Sequence, residues 1–142
     1  MDRQRIAQVA VGVNGVFALP LGLQAAFTPR SFFDDFPLGR GWVAMVGGSY
    51  DEHLVRDVGG LFLALAIASI WAWWRPQLVR PLAVAWLLQG LLHFTFHLRH
   101  LQHFEGFDKV AQTASLATIP AVAAIALWAD ATATPTSSIG DT

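Results

Sequence analysis

Four apolar runs dominate the chain, and each is long enough to cross a bilayer. About 20 helical residues span the roughly 30 Å of hydrocarbon. The runs cover approximately 6–27, 58–74, 82–101 and 110–128. Inside lipid, backbone N–H and C=O groups must bond within the protein, so each run must be helical. The expected fold class is all-α: a polytopic membrane protein, an antiparallel bundle of four transmembrane helices with a long interfacial first loop. Composition agrees. Of 142 residues, 54% are hydrophobic and only 13% charged. An ordinary soluble domain carries about 25% charge. A soluble domain this small needs a polar coat, and so few charges cannot supply one.

The transmembrane domain is expected over 1–130, with 131–142 a disordered tail of Thr, Ser, Ala and Gly. Arg3, Arg5 and the small residues at Gln24-Ala25-Ala26 also suit a cleaved signal peptide. The first run exceeds the roughly 7–15 residues of a signal core, so a retained helix is expected. Pro20 is tolerable there, because neighbouring helices satisfy freed carbonyls. The connection Thr28–Asp57 mixes Phe32, Phe33, Phe36, Trp42 and Tyr50 with Asp34, Asp35 and glycines. That mixture suits the headgroup layer. The other loops are short, so successive helices should be antiparallel neighbours.

Orientation follows from arginine density rather than number. Arg3 and Arg5 flank the first run, and Arg75 and Arg80 sit in a very short connection. The positive-inside rule then places both termini in the cytoplasm of a multi-pass cell-membrane protein. Trp71, Trp73, Trp74 and Trp128 should form a belt at that interface. Small residues suggest close packing rows: Gly15, Ala18 and Gly22; Gly60, Ala64, Ala68 and Ala72; Ala114, Ala117, Ala121 and Ala124.

Several functions fall away. Net charge is −1, leaving no basic surface for nucleic acid. Cys is absent, which excludes thiolate catalysis and a Cys-ligated iron–sulfur cluster. The bilayer is the one partner the sequence names.

The polar residues concentrate in two segments. One is Asp51-Glu52-His53-Leu54-Val55-Arg56-Asp57, at the start of the second span. The other is on the third: Gln89, His93, His97, Arg99, His100 and His103. Together they hold all five histidines. At about 100° per residue, Gln89, His93, His97 and His100 share one stripe of roughly 80°. His100 and His103, near the helix end, also suit a headgroup position. Gln89 and His93 lie deeper, where polar side chains turn inward and find partners. Glu52–Arg56 and His53–Asp57 have the spacing of same-helix pairs. Asp51 reads as an N-cap, with carboxylates in a first turn that favours them. Arg56 is the misfit, a cation near a helix N-terminus that wants a specific partner.

Topology puts the start of the second span and the end of the third on one side of the membrane. A polar pocket between these helices is expected from Glu52, His53, Arg56, Asp57, Gln89, His93, His97 and His100, roofed by the aromatic loop. It admits three readings. The first is a structural network that fixes register, in a binding or scaffolding subunit with a membrane-protein partner. The second is a proton-handling or ligand pocket for the head of a lipid or quinone-like molecule. The third is a metal- or haem-dependent redox protein or enzyme, with metal ligands from His93, His97, His100, Glu52 and His53. The third helix lacks HExxH and a second complete ligand set, so an enzyme is the less favoured reading.

Tyr50-Asp-Glu-His-Leu-Val-Arg-Asp-Val-Gly-Gly60, followed by His93-x3-His97-x2-His100, resembles small uncharacterised bacterial four-helix membrane proteins, loosely the DoxX-like group. The resemblance spans nearly the whole chain, to about Ala129. It implies a membrane location, a compact four-helix bundle and a loose association with redox partners. It transfers no catalytic residue.

Overall fold

A computed structural model describes residues 2–132 of the chain. The expected tail lies outside the described residues from 133 onward. Four long helices form: α1 (Arg3–Phe27), α4 (Glu52–Trp71), α5 (Val79–Leu98) and α6 (Gly106–Ala131). Each is long and apolar enough to cross a membrane. Two short helices, α2 (Pro29–Asp35) and α3 (Trp42–Met45), occupy the first connection. Among the described residues there is no strand.

Helix boundaries follow local chemistry. The second long helix begins at Glu52, several residues before its apolar run, because Asp51 caps it: the Asp51 carboxylate accepts from Leu54 N–H at 3.1 Å. The third ends at Leu98, so Arg99 and His100 lie in the following turn. Pro20 and Pro120 both sit inside continuous helices.

The bundle is two helix pairs. The first pair is α1 with α4, the second is α5 with α6, and α1 with α6 joins them; α4 and α5 touch only sparsely. Glycine decides the pairing. A Cβ on Gly59 would stand 2.8 Å from the Ala25 carbonyl carbon, and one on Gly90 would stand 2.8 Å from Pro120 Cδ. Only bare backbone permits those approaches, where dispersion drives association. The row Gly15, Ala18 and Gly22 is buried as expected. The other two expected rows are met only in part: Ala72 is buried and Ala68 packs against the same cluster, but the rest shift. On α4 the buried positions are Gly59, Ala66 and Ser69, while Gly60 and Ala64 are exposed. On α6 they are Gln112, Pro120, Ala123, Ala126 and Ala129, while Ala114, Ala121 and Ala124 are exposed. One residue is about 100° of rotation, so a row shifted by one faces away.

Two buried clusters form the core. One gathers Ala7, Ala10, Val11, Ala72, Val79, Leu82, Ala83, Ala126 and Ala129 at the end bearing the chain N-terminus. The other, in mid-bundle, joins Ala18, Ala66, Trp86 and Ala123. Polar ties cross the same region. Trp86 Nε1–H donates to Ser69 Oγ at 2.8 Å. The Asn14 amide donates to the Ile119 carbonyl at 3.1 Å, and the Gln8 amide donates to the Trp73 carbonyl at 3.0 Å. In lipid such bonds link helices at about 0.6–2 kcal/mol each. Around this end, Trp71, Trp73, Trp74 and Trp128 are all exposed. Arg3 lies over Trp128 and Arg5 over Trp73.

The opposite end carries the first connection. Arg40 pairs with Asp108 at 2.6 Å, and Trp42 Nε1–H donates to the same carboxylate at 3.0 Å. The loop therefore crosses from α1 to the start of α6. Phe33 packs edge-on against Tyr50, and Arg30 lies over Tyr50.

Candidate functional site

The two polar segments share the loop end of the bundle, as topology requires, but they do different things. On α4, His53 and Asp57 pair at 3.3 Å with both side chains largely exposed. Both point away from the buried Gly59–Ser69 stripe by the helical rotation. Glu52 holds Arg56 at 2.9 Å. Arg56 also donates to the Ala26 carbonyl. Ala26 lies in the last turn of α1, whose carbonyls lack intrahelical partners. That contact resolves the misfit. Arg56 serves the C-terminus of the antiparallel neighbour, where a cation is favoured, rather than the N-terminus of its own helix.

On α5 the geometry differs. Gln89, His93 and His97 fall within roughly 60° of Trp86 on the helix surface. Trp86 and Gly90 on that stripe are buried. His93, one to two turns further on, is exposed. The inward face of α5 thus stays covered through Gly90 and loses its cover at His93, where neither buried cluster continues. Sparse contact between α4 and α5 leaves it so.

A polar group is assembled on this face. The rings of His93 and His97 meet edge-on at 4.6 Å. Gln112 of α6 brings its amide nitrogen to 2.7 Å from His97 Nδ1. With that amide N–H donating, Nδ1 accepts and Nε2 carries the proton of the neutral ring. Gln112 is 1% exposed. The side-chain oxygens of Gln112 and Gln89 are both buried without a hydrogen-bond partner. Such an oxygen costs about 1–3 kcal/mol, so each calls for a reason.

His100 and His103 stand apart from this group. His100 Nδ1–H donates to the Phe96 carbonyl at 2.7 Å, and the ring stacks on Phe96. It closes the C-terminus of α5. His103 stacks on His100 in a short 3₁₀ turn, Leu101–His103.

The single pocket expected between the second and third spans is therefore not what the chain assembles. Among the described residues, no hydrogen bond, ion pair or ring contact joins Glu52–Asp57 to Gln89–His100. Nor do three or more His, Asp or Glu side chains converge as metal ligands there. His93, His97, His100, Glu52 and His53 are distributed over two helix pairs. The physical reason is the glycine pairing, which commits α4 to α1 and α5 to α6. Gln112 is the site residue that sequence reading missed. Its signal was a carboxamide near the start of the last apolar run, about two turns into α6.

Residues 6–95 match the model of a domain of unknown function, DUF4345. The chain belongs to the DUF4345 family. The match runs from α1 through most of α5, and covers Gln89 and His93. No curated protein and no solved structure matches the chain.

Proposed function

We propose that this DUF4345 protein is a small multi-pass cell-membrane protein that binds the polar head of a membrane-soluble, quinone-like molecule. The binding group is Gln89, His93, His97 and Gln112. The observation that carries the reading is the buried, unpartnered oxygen of Gln112, whose amide nitrogen meets His97, with a second such oxygen on Gln89, one turn before His93 on the same helix face. Those oxygens accept from hydroxyl donors, and the His97 Nε2–H donates to a carbonyl. A dicarbonyl ring and its dihydroxy form offer both kinds of group. The lipid-soluble body of such a ligand would enter between α4 and α5, where helix contact is sparse. The looser likeness to bacterial DoxX-like proteins, with their redox associations, favours this ligand class. Arginine density favours both termini in the cytoplasm.

A second reading rests on the His97–Gln112 bond itself. It bridges α5 and α6 and acts as an interhelical clamp in a scaffolding subunit. Titration of a decyl-substituted benzoquinone into detergent-solubilised protein separates the two. Binding that weakens at least about tenfold in Gln112→Leu and His97→Phe, the cost of removing a buried hydrogen-bonding partner, supports the ligand site. Absence of binding together with lowered thermal stability in both variants supports the clamp.

A further inference from the structure

The far end of the molecule, away from the His–Gln group, carries a second feature. A groove of about 380 Å³ runs between α1 and α4. Val9, Val13 and Phe17 line one side, and Ile70, Trp73 and Trp74 line the other. Trp73 and Trp74 stand at its outer end, in the aromatic belt. Arg5 lies 5.2 Å from the centre of the Trp73 ring, at the mouth.

From Arg5 to Phe17 the helix rises about 18 Å, close to the roughly 15 Å half-thickness of the hydrocarbon core. The groove's lining is apolar apart from Gln8 and Ser69, both bonded within the protein, and no charged side chain lines it. Among the described residues, the mouth end carries Arg3, Arg5, Arg75 and Arg80 against Asp2 and Asp130. Asp130 is taken by Arg80 at 3.8 Å, and Arg3 bonds Thr132. Arg5 and Arg75 pair with no carboxylate among the described residues.

We propose that this groove holds one acyl chain of an anionic glycerophospholipid, its phosphate against Arg5. An apolar channel of leaflet depth with an uncompensated guanidinium at the headgroup level fits that occupant. A zwitterionic lipid fits the channel but gains less at its mouth, because its headgroup carries no net charge. Charge complementarity at the rim thus sets the lipid class, and the channel sets the position.

Gly12 provides a clean test. It lines the groove, and a Cβ there would meet nothing within 4 Å. Gly12→Phe therefore fills the channel without displacing the fold. Native mass spectrometry of the detergent-solubilised protein, supplied with equal dioleoyl phosphatidylglycerol and dioleoyl phosphatidylcholine, reads the bound lipid directly. The wild type should retain phosphatidylglycerol preferentially. Gly12→Phe should lose that adduct at unchanged thermal stability. Arg5→Gln should lower it about fivefold, one basic side chain's share of anionic-lipid attraction, and Arg5→Lys should restore it. Equal retention of both lipids by the wild type would overturn the proposal. So would undiminished phosphatidylglycerol in Gly12→Phe. If Gly12→Phe proves less stable, Arg5→Gln on the rim decides, and unchanged retention there counts against the proposal.

Discussion

The two ends of this bundle are built on opposite rules. At the end bearing the N-terminus, four helices share one core of alanine, valine and leucine, and side-chain amides tie neighbouring backbones together. At the loop end the helices hold only in pairs, by glycine contact, and a His–Gln group lies on the face that a shared core would have covered. The first end fixes the architecture. The second is left open where α4 and α5 part. Polar side chains are costly in lipid, so their concentration on an uncovered inward face, rather than at the loops, is what the proposed binding role rests on.

Substitution at neighbouring glycines breaks the pairing most sharply. Gly59→Leu drives a side chain into the α1 backbone at Ala25 and Ala26, which has no means of yielding. It should abolish recovery of folded monomer in detergent by size-exclusion chromatography. Gly60→Leu points into open space and should leave the elution profile unchanged. Equal behaviour of the two would mean that α4 does not lie on α1 as described.

Trp86 marks the boundary between the two ends. Trp86→Ala removes the largest fully buried side chain and its bond to Ser69. The expected loss is about 3–5 kcal/mol, measurable as a lowered denaturation midpoint. Substitutions past this boundary should cost less. Gln112→Leu and His97→Phe together exchange both partners of one bond for apolar groups, and should be near neutral in stability. A double variant as damaging as Trp86→Ala would place the shared core further toward the loop end.

The smallest effects belong to α4. Arg56→Ala loses its hold on both Glu52 and the end of α1, and should lower the melting temperature by about 2–4 °C. His53→Ala breaks only an exposed pair and should not move it measurably. Arg40→Ala should also lower it, because Arg40 is bound to Asp108 and lies over Phe107.

The sequence carried the architecture and half of the site. Run length gave the four helices, and the spacing of Gln89, His93 and His97 gave their common face. The Asp51 cap was also readable, because capping is local chemistry. The pairing of the first span with the second and of the third with the fourth was as expected; what escaped was that the second and third barely touch. Consecutive antiparallel helices were expected to lie side by side throughout, but the glycine contacts of Gly59 with Ala25 and of Gly90 with Pro120 favour two of the three junctions, and that preference has no local signature. With that preference went the partner of Arg56, a backbone carbonyl that no residue identity announces. Gln112 was missed for the same reason. A lone amide in an apolar run gains meaning only when its helix is placed against α5.

The central claim is that the inward face of α5 is buried through Gly90 and open at His93. The chain contains no cysteine, so single cysteines report each position without background. In proteoliposomes, a charged, water-soluble thiosulfonate should label His93→Cys. It should leave Ala83→Cys, which is fully buried, and Leu92→Cys, which is 63% exposed on the lipid side, unlabelled. Labelling at 93 alone is the predicted result. A cysteine at 93 as unreactive as those at 83 and 92 would contradict the open end, and with it the binding site proposed there.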